Sequence, residues 1–380
     1  MKNALTKAPL REGFTTGTAA TAAAMAAVSL LLGPPENIYM PGNVMRTPLP
    51  PFDSGGAPAA YLDVPVARCQ RLDARSARAE VIKDGGDDPD ATHGMIIAAT
   101  VCLCAGVRPG EVMLTAGPGL GRVTLPGLPL PVGAAAINPM PRRQIRAALE
   151  ALAKARGYTG AFSVCLDAPE GAARARHTLN ARLGIVGGIS ILGTSGLVKP
   201  YSHEAWQEVI RQGANLAAAQ ACAALGLATG RRTEKLLMAA HPDWPEQAFV
   251  QMADFAAMSV RAAVRVGFRR LAVGLFIGKL LKIAQGLEYT HARSADLDLD
   301  AAAAWAREAG LTENDAENLR QCNTARQALD IILRSRAREA VLAALTRRAA
   351  LAIQAWSGPG VALEVRLFDF DGQSLYIDTL

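Results

Sequence analysis

The residues best able to do chemistry in this chain stand in one short run, Lys83-Asp84-Gly85-Gly86-Asp87-Asp88-Pro89-Asp90-Ala91-Thr92-His93-Gly94. Asp84, Asp87, Asp88 and Asp90 crowd their carboxylates together, and such a set repels itself unless cations or hydrogen-bond donors lie among them. The glycines permit close backbone approach, and Pro89 fixes the chain locally. His93 offers a base, a binder of acids or a partner for Asp90. The run reads as a ligand loop. Asp84, Asp87, Asp88, Asp90 and His93 are its candidate catalytic residues, and Lys83 and Thr92 are candidate binding residues. Its spacing does not match a calcium loop.

Three other segments have the composition of binding loops. Thr15-Thr16-Gly17-Thr18 sets three hydroxyls at a helix start, where they suit a carboxylate, although N-capping explains one or two of them. Gly193-Thr194-Ser195-Gly196 follows a strand-like run ending at Leu192. Ile277-Gly278-Lys279 follows another and opens a helix able to hold an anion. Ligands of open α/β sheets sit at such carboxyl ends, but plain capped turns use the same residues. His291 has Arg293 and Asp296 nearby. A lone histidine of this kind is more often a structural hydrogen-bonder than a catalyst. No Gly-x-Ser-x-Gly elbow, Walker-type loop, His-Glu-x-x-His helix or Rossmann Gly-x-Gly-x-x-Gly occurs.

The elements that must carry these loops follow from pattern. A helix starts near Thr18, runs through alanine and ends at Gly33-Pro34. Residues 34–58 read as an irregular excursion with one short strand. Residues 61–69, 78–83, 95–104 and 111–116 read as strands. After Pro141 strands and helices alternate: helix 142–156, buried strand 161–166, helix 170–179, buried strand 184–192, a helix from Ser202 to about Leu225, helix 246–266, strand 270–276 and helix 279–285. Residues 301–352 are almost wholly helical. A strand at 361–367 turns at Asp371-Gly372 into 374–377. This predicts an N-terminal α+β domain over residues 1–140. A C-terminal α/β domain over 141–380 follows, with a mainly parallel sheet flanked by helices and a final hairpin free to return to the first domain.

Composition narrows the function. At 380 residues the chain exceeds the usual size of a single core. Aromatics are only 5%, too few for a surface that stacks nucleobases. The net charge of +6 rests mostly on arginine, spread without a polybasic tail, which suits a polyanionic small molecule better than DNA. Cys69, Cys102, Cys104, Cys165, Cys222 and Cys322 show no zinc spacing and read as reduced core thiols of a cytoplasmic protein. Residues 13–32 loosely imitate a signal peptide, but they are mostly alanine and too weakly apolar to span a bilayer. No membrane partner is expected.

Taken together, the segments resemble the cobalt-precorrin-5B C1-methyltransferase family (CbiD). The resemblance rests on Gly13-Phe14-Thr15-Thr16-Gly17-Thr18, the acidic run with Thr92 and Gly94, and Gly117-Pro118-Gly119 through Ala136-Ile137-Asn138-Pro139. It continues in Gly188-Ile189-Ser190-Ile191-Leu192-Gly193-Thr194-Ser195-Gly196, Gly278-Lys279 with Lys282, Thr290-His291 with Asp296, and Asn323-Thr324-Ala325. Motifs in this order along nearly the whole chain are specific.

The resemblance implies S-adenosyl-L-methionine as methyl donor, a polycarboxylate tetrapyrrole as acceptor and cobalt-precorrin-6A as product. Cobalt arrives inside the substrate, so no protein metal site is implied. On the residues themselves rather than the resemblance, the acidic loop and His93 are the expected catalytic set. Thr15, Thr16, Gly17, Thr18, Lys83, Thr92, Gly193, Thr194, Ser195, Gly196, Lys279, His291, Arg293, Asn323 and Thr324 bind donor or substrate. The family allows transient contact with neighbouring cobalamin-pathway enzymes and homo-oligomers, and implies no nucleic acid. Ala19 and Met25 depart from the cysteine and lysine of many relatives. The alternatives are a tetrapyrrole carrier without methyl transfer, or another transferase or isomerase acting on a polycarboxylate.

Overall fold

The computed structural model describes residues 9–33, 43–105, 108–291 and 296–380. It divides into two compact units, Met1–Ser202 and His203–Leu380. The first is α+β and the second α/β.

In the first unit the elements are β1 (Gly13–Phe14), α1 (Thr16–Leu32), β2 (Val44–Phe52), β3 (Pro58–Pro65), β4 (Arg68–Arg71), β5 (Ser76–Ile82) and β6 (Ile96–Cys104). They continue with β7 (Val112–Ala116), β8 (Arg122–Val123), α2 (Pro139–Ala155), β9 (Ala161–Asp167), α3 (Gly171–Ala175), β10 (Ile185–Val186) and β11 (Leu197–Val198). Helix α1 is apolar on all sides, so it must be buried. Its alanines let it pack closely on β5, β6 and α2. Ala19 and Met25 both lie in this core.

The main sheet has the order β4-β5-β6-β9-β7, with β9 antiparallel to β6 and parallel to β7. A strand bonded on both edges cannot leave its sheet, so β9 and the α2 that precedes it belong to the first unit. The boundary therefore falls after Ser202 rather than at 140/141. The excursion at 34–58 holds a longer strand than its composition suggests. β2 carries Pro48, Pro50 and Pro51, which are tolerated because β2 and β3 form a separate two-stranded ribbon. The buried strand expected over 184–192 shrinks to β10, paired with β8. Beyond it the chain crosses several segments, with Ile189 bridging Leu120 and Ile191 bridging Ile137.

Two stretches of backbone cross here with no side chain between them. Phe14 N–H donates to Asp84 O at 2.9 Å, and Asp87 N–H to Arg11 O at 2.9 Å. A Cβ on Gly13 would stand 2.4 Å from Asp84 O, and one on Gly86 would stand 2.2 Å from Arg11 O. On its other edge, β1 pairs with β11.

The second unit runs α4 (His203–Ala219), β12 (Leu225–Ala228), α5 (Arg231–Ala240), β13 (Phe249–Gln251), α6 (Ala256–Arg265), β14 (Arg270–Phe276) and α7 (Ile277–Ala284). It ends with α8 (Leu299–Glu308), α9 (Glu313–Arg320), α10 (Ala325–Arg334), α11 (Arg338–Ser357), β15 (Ala362–Phe368) and β16 (Ser374–Thr379). The sheet order is β13-β12-β14-β15-β16, parallel except for β16. The continuous helix expected at 246–266 is interrupted by β13. The helix from Ser202 stops at Ala219 because β12 follows. β12 is short, contains Gly226 and is buried throughout, so it lacks the alternation that marks a strand. The final hairpin stays in this unit, since β15 pairs with β14 along its whole length. Among the described residues no helix is long and apolar enough to cross a membrane.

Gly86 and Gly94 have similar left-handed φ values of +64° and +75°, but only Gly86 faces backbone; nothing lies within 4 Å of a Cβ on Gly94. Gly94→Ala is expected to cost about 1–2 kcal/mol of left-handed strain. Gly86→Ala should cost at least about 2 kcal/mol more, because the crossing strands must separate. Denaturant melting of both variants measures the gap, and equal losses would contradict the crossing.

Candidate functional site

The acidic run closes the β5–β6 hairpin. Lys83 N–H donates to Met95 O at 2.9 Å and Gly94 N–H to Lys83 O at 2.8 Å. Inside that closure each carboxylate has a partner. Asp84 receives both ends of the Arg11 guanidinium, with Nη2 at 3.0 Å, and also the Gly86 N–H at 2.8 Å. Asp87 Oδ2 accepts from Arg11 N–H at 2.7 Å, and Asp88 Oδ1 from Tyr201 N–H at 2.9 Å. Asp90 pairs with the buried ammonium of Lys83 and accepts from the Thr92 amide and hydroxyl at 2.7 and 2.6 Å. His93 Nδ1 accepts from Gly85 N–H at 2.9 Å, which puts the ring proton on Nε2.

These partners set the charge. Hydrogen bonds from Arg11 hold the Asp84 carboxyl below the usual range against opposing burial, helped by the Gly86 N–H. Burial pushes Asp90 upward, but the Lys83 charge and the bonds from Lys83 and Thr92 outweigh it, and its net shift is downward. The loop is thus an internally neutralised clasp. Oxygens Oδ1 of Asp87 and Oδ2 of Asp88 accept no hydrogen bond among the described residues.

The threonine turn and the Gly193–Gly196 segment meet beside it. Thr15 caps α1 through the Thr18 N–H, and its own N–H donates to Gly196 O at 3.0 Å. Thr16 Oγ1 accepts from Leu192 N–H at 2.9 Å and donates toward Ser190 O at 3.1 Å. Thr18 Oγ1 donates to Gly196 O at 2.8 Å, and Gly17 N–H donates to Leu192 O at 3.0 Å. Gly193 packs on the Thr15 side chain. The three threonines are consumed in stitching; Thr194 and Ser195 are exposed, and Ser195 Oγ donates to Leu197 O at 3.2 Å. The structure therefore gathers the run 15–18, the run 83–94 and the run 193–196 in one place.

The remaining expected residues lie in the second unit. Lys279 pairs with Asp254 and donates to Thr290 O at 3.0 Å. Lys282 reaches the carbonyls of Thr290 and His291 at 3.3 and 3.4 Å; burial and then the Lys279 charge push its ammonium down. The His291 ring stacks on Tyr289. Thr324 caps α10 through the Gln327 N–H, while Gln327 Oε1 accepts from Asn323 N–H. Arg293 lies outside the described residues.

Sequence reasoning passed over one feature of this unit. The order β13-β12-β14-β15 places a topological switch point between β12 and β14, where open sheets bind ligands. Thr229-Gly230-Arg231-Arg232 leaves β12 there and Phe276-Ile277-Gly278 leaves β14. The Arg232 guanidinium lies 5.6 Å from the centre of the Phe276 ring. Phe276 stacks on Phe370 at 5.1 Å, and Arg326 covers Phe370 at 5.0 Å. The available signal was Thr-Gly followed by paired arginines at a helix start, which stayed unread because β12 itself was missed.

A family model described as CbiD matches residues 3–200, and one described as CbiD, C-terminal domain, matches residues 289–379. The chain belongs to the CbiD family. The CbiD relative named cobalt-precorrin-5B C(1)-methyltransferase from Nitratidesulfovibrio vulgaris is 51% identical over 369 residues, covering 97% of this chain and 93% of its own. The protein of the same name from Geobacillus sp. (strain WCH70) is 38% identical over 370 residues, with 97% of each covered. A crystal structure titled as the cobalamin biosynthesis protein cbiD of Archaeoglobus fulgidus is 25% identical, covers 72% of this chain and 79% of its own, and superposes with a TM-score of 0.37.

The clasp predicts an acid limb. Asp84 and Asp90 have lowered folded-state values, so their stabilisation is present above the ordinary carboxylate range, about pH 4, and is lost as pH falls further. Asp90→Asn strands the Lys83 ammonium, whose side chain is 1% exposed. It is expected to cost about 3 kcal/mol, a fall of roughly 6–12 °C in Tm. It should also make the acid loss shallower. Melting curves from pH 7 to 3 check both; a variant that melts like wild type would contradict the clasp.

Proposed function

We propose that the chain is the methyltransferase that carries a methyl group from S-adenosylmethionine to C1 of cobalt-precorrin-5B, giving cobalt-precorrin-6A in anaerobic cobalamin biosynthesis. The observation that carries this reading is the 51% identity, over 97% of the chain, to a protein bearing that name.

S-adenosylmethionine supplies an electrophilic methyl on a sulfonium. In the second unit, exposed Arg231 and Arg232 open α5 at the switch point and suit the carboxylate of such a donor. In the first unit we assign Asp88, through its unbonded Oδ2, the proton lost from the macrocycle. His93 already accepts at Nδ1, so its Nε2–H suits a hydrogen bond to a substrate carboxylate better than it suits a base. Thr194 offers an exposed hydroxyl to the same carboxylates, and Ser195 Oγ holds the turn through Leu197. Asp84, Asp90, Lys83, Thr15, Thr16 and Thr18 hold the loops in place. Cobalt belongs to the substrate. With a ring carbon already nucleophilic, much of the acceleration comes from alignment at near-attack distance.

Incubating the protein with cobalt-precorrin-5B and S-adenosylmethionine should raise the macrocycle mass by one methyl group. Binding without that gain would fit a carrier instead. Asp88→Asn keeps the oxygen that accepts from Tyr201, so the fold should persist while kcat falls about 100-fold or more. An unchanged kcat would remove Asp88 from the chemistry.

A further inference from the structure

Arg142, Arg143 and Arg146 occupy the first two turns of α2 and line a groove of about 440 Å³. Two of them are fixed by neutral acceptors. Arg142 donates from Nε to Ile137 O at 2.6 Å and from Nη2 to Ala135 O at 3.3 Å. Arg143 donates from Nη2 to Phe52 O at 3.0 Å and to Asp53 O at 2.9 Å, with its guanidinium 5.7 Å from the Phe52 ring centre. Carbonyls orient a guanidinium and leave its charge in place. Arg146 has no hydrogen-bond or ion-pair partner among the described residues. Burial and then the neighbouring charge of Arg146 push the Arg142 guanidinium down, which marks like charges held close.

Carbonyls also hold Arg75, Arg122 and Arg269, whereas other arginines are neutralised by carboxylates. Arg78 is paired with Asp167, Arg261 with Glu288, Arg347 with Asp378 and Arg348 with Glu308. In the groove the only carboxylate is Glu150, and it is not within ion-pair distance of the three arginines among the described residues. The site does not depend on the helix end, because Pro139 and Pro141 remove two of the N–H groups that α2 would otherwise present. It adjoins the gathered loops: Asn138 N–H donates to Ile191 O at 2.9 Å, and a Cβ on Gly17 would lie 2.8 Å from Pro141 Cγ.

We infer that the Arg142–Arg146 groove binds the carboxylate side arms of a multiply carboxylated flat macrocycle. Arg142 keeps its Nη1 N–H groups, and Arg146 its whole guanidinium, for carboxylate recognition. Arg142 and Arg146 stand one helical turn apart and can each take a separate arm. The inference rests on the reading of the chain as a methyltransferase of a carboxylate-rimmed ring.

The test uses the full chain with uroporphyrin as the probe, read by porphyrin fluorescence at low and raised salt, together with KM and kcat for cobalt-precorrin-5B. Arg142→Met and Arg146→Met should each weaken uroporphyrin binding about tenfold and flatten its salt dependence. Each should raise KM with kcat unchanged and leave S-adenosylmethionine affinity as in wild type. Arg146 is exposed, so its variant keeps the test sound if Arg142→Met misfolds. A wild type that transfers methyl, with Arg146→Met matching it in KM and in porphyrin affinity, overturns the groove and leaves the methyltransferase reading standing. A wild type that transfers no methyl overturns that reading, and the groove with it.

Discussion

The contact on which the first unit depends is the one between two bare stretches of main chain. The segment before α1 and the turn after β5 lie closer than any side chain allows, and Phe14 N–H to Asp84 O is the bond that joins them. From it Arg11 is carried to Asp84 and Asp87, and β1 to β11. Thr15, Thr16 and Thr18 are thereby brought against residues 190–196. Buried main-chain polar groups must find partners. Here they find one another, so the loops are set by the fold before any ligand arrives.

Charge is then divided in a way that its sequence position conceals. The aspartates look reactive because they are crowded, yet Arg11, Lys83 and main-chain amides neutralise or bond all of them. The arginines of α2 look like an ordinary solvated face, yet carbonyls hold two of them with their charge intact. An internally satisfied acidic loop gives rigidity, whereas an uncompensated cationic groove gives affinity for an anion. For a substrate rimmed with acetate and propionate groups, the second property matters for capture and the first for alignment.

Much of this was legible in the residues. α1 was readable from Thr15 and its alanines, and the alternation of strands and helices after Pro141 announced an α/β half. The family resemblance was carried by loops, where function concentrates, and the family models agree with it. What could not be read was long-range. β9 looks like the start of a new domain until β6 and β7 are seen on either side of it. β12 is too short and too uniformly buried to alternate, so the switch point after it went unseen. The partners of Asp84 and Asp88 are separated from them by 73 and 113 residues, beyond any local pattern.

The most direct measurement of the preformed clasp is amide hydrogen exchange on the protein free of donor and macrocycle. The amides of Phe14, Thr15, Gly17 and Asp87 should exchange as slowly as those of the β5–β6 ladder. Fast exchange in the free protein, slowing only when ligand is added, would mean that the ligand orders these loops and the backbone crossing does not.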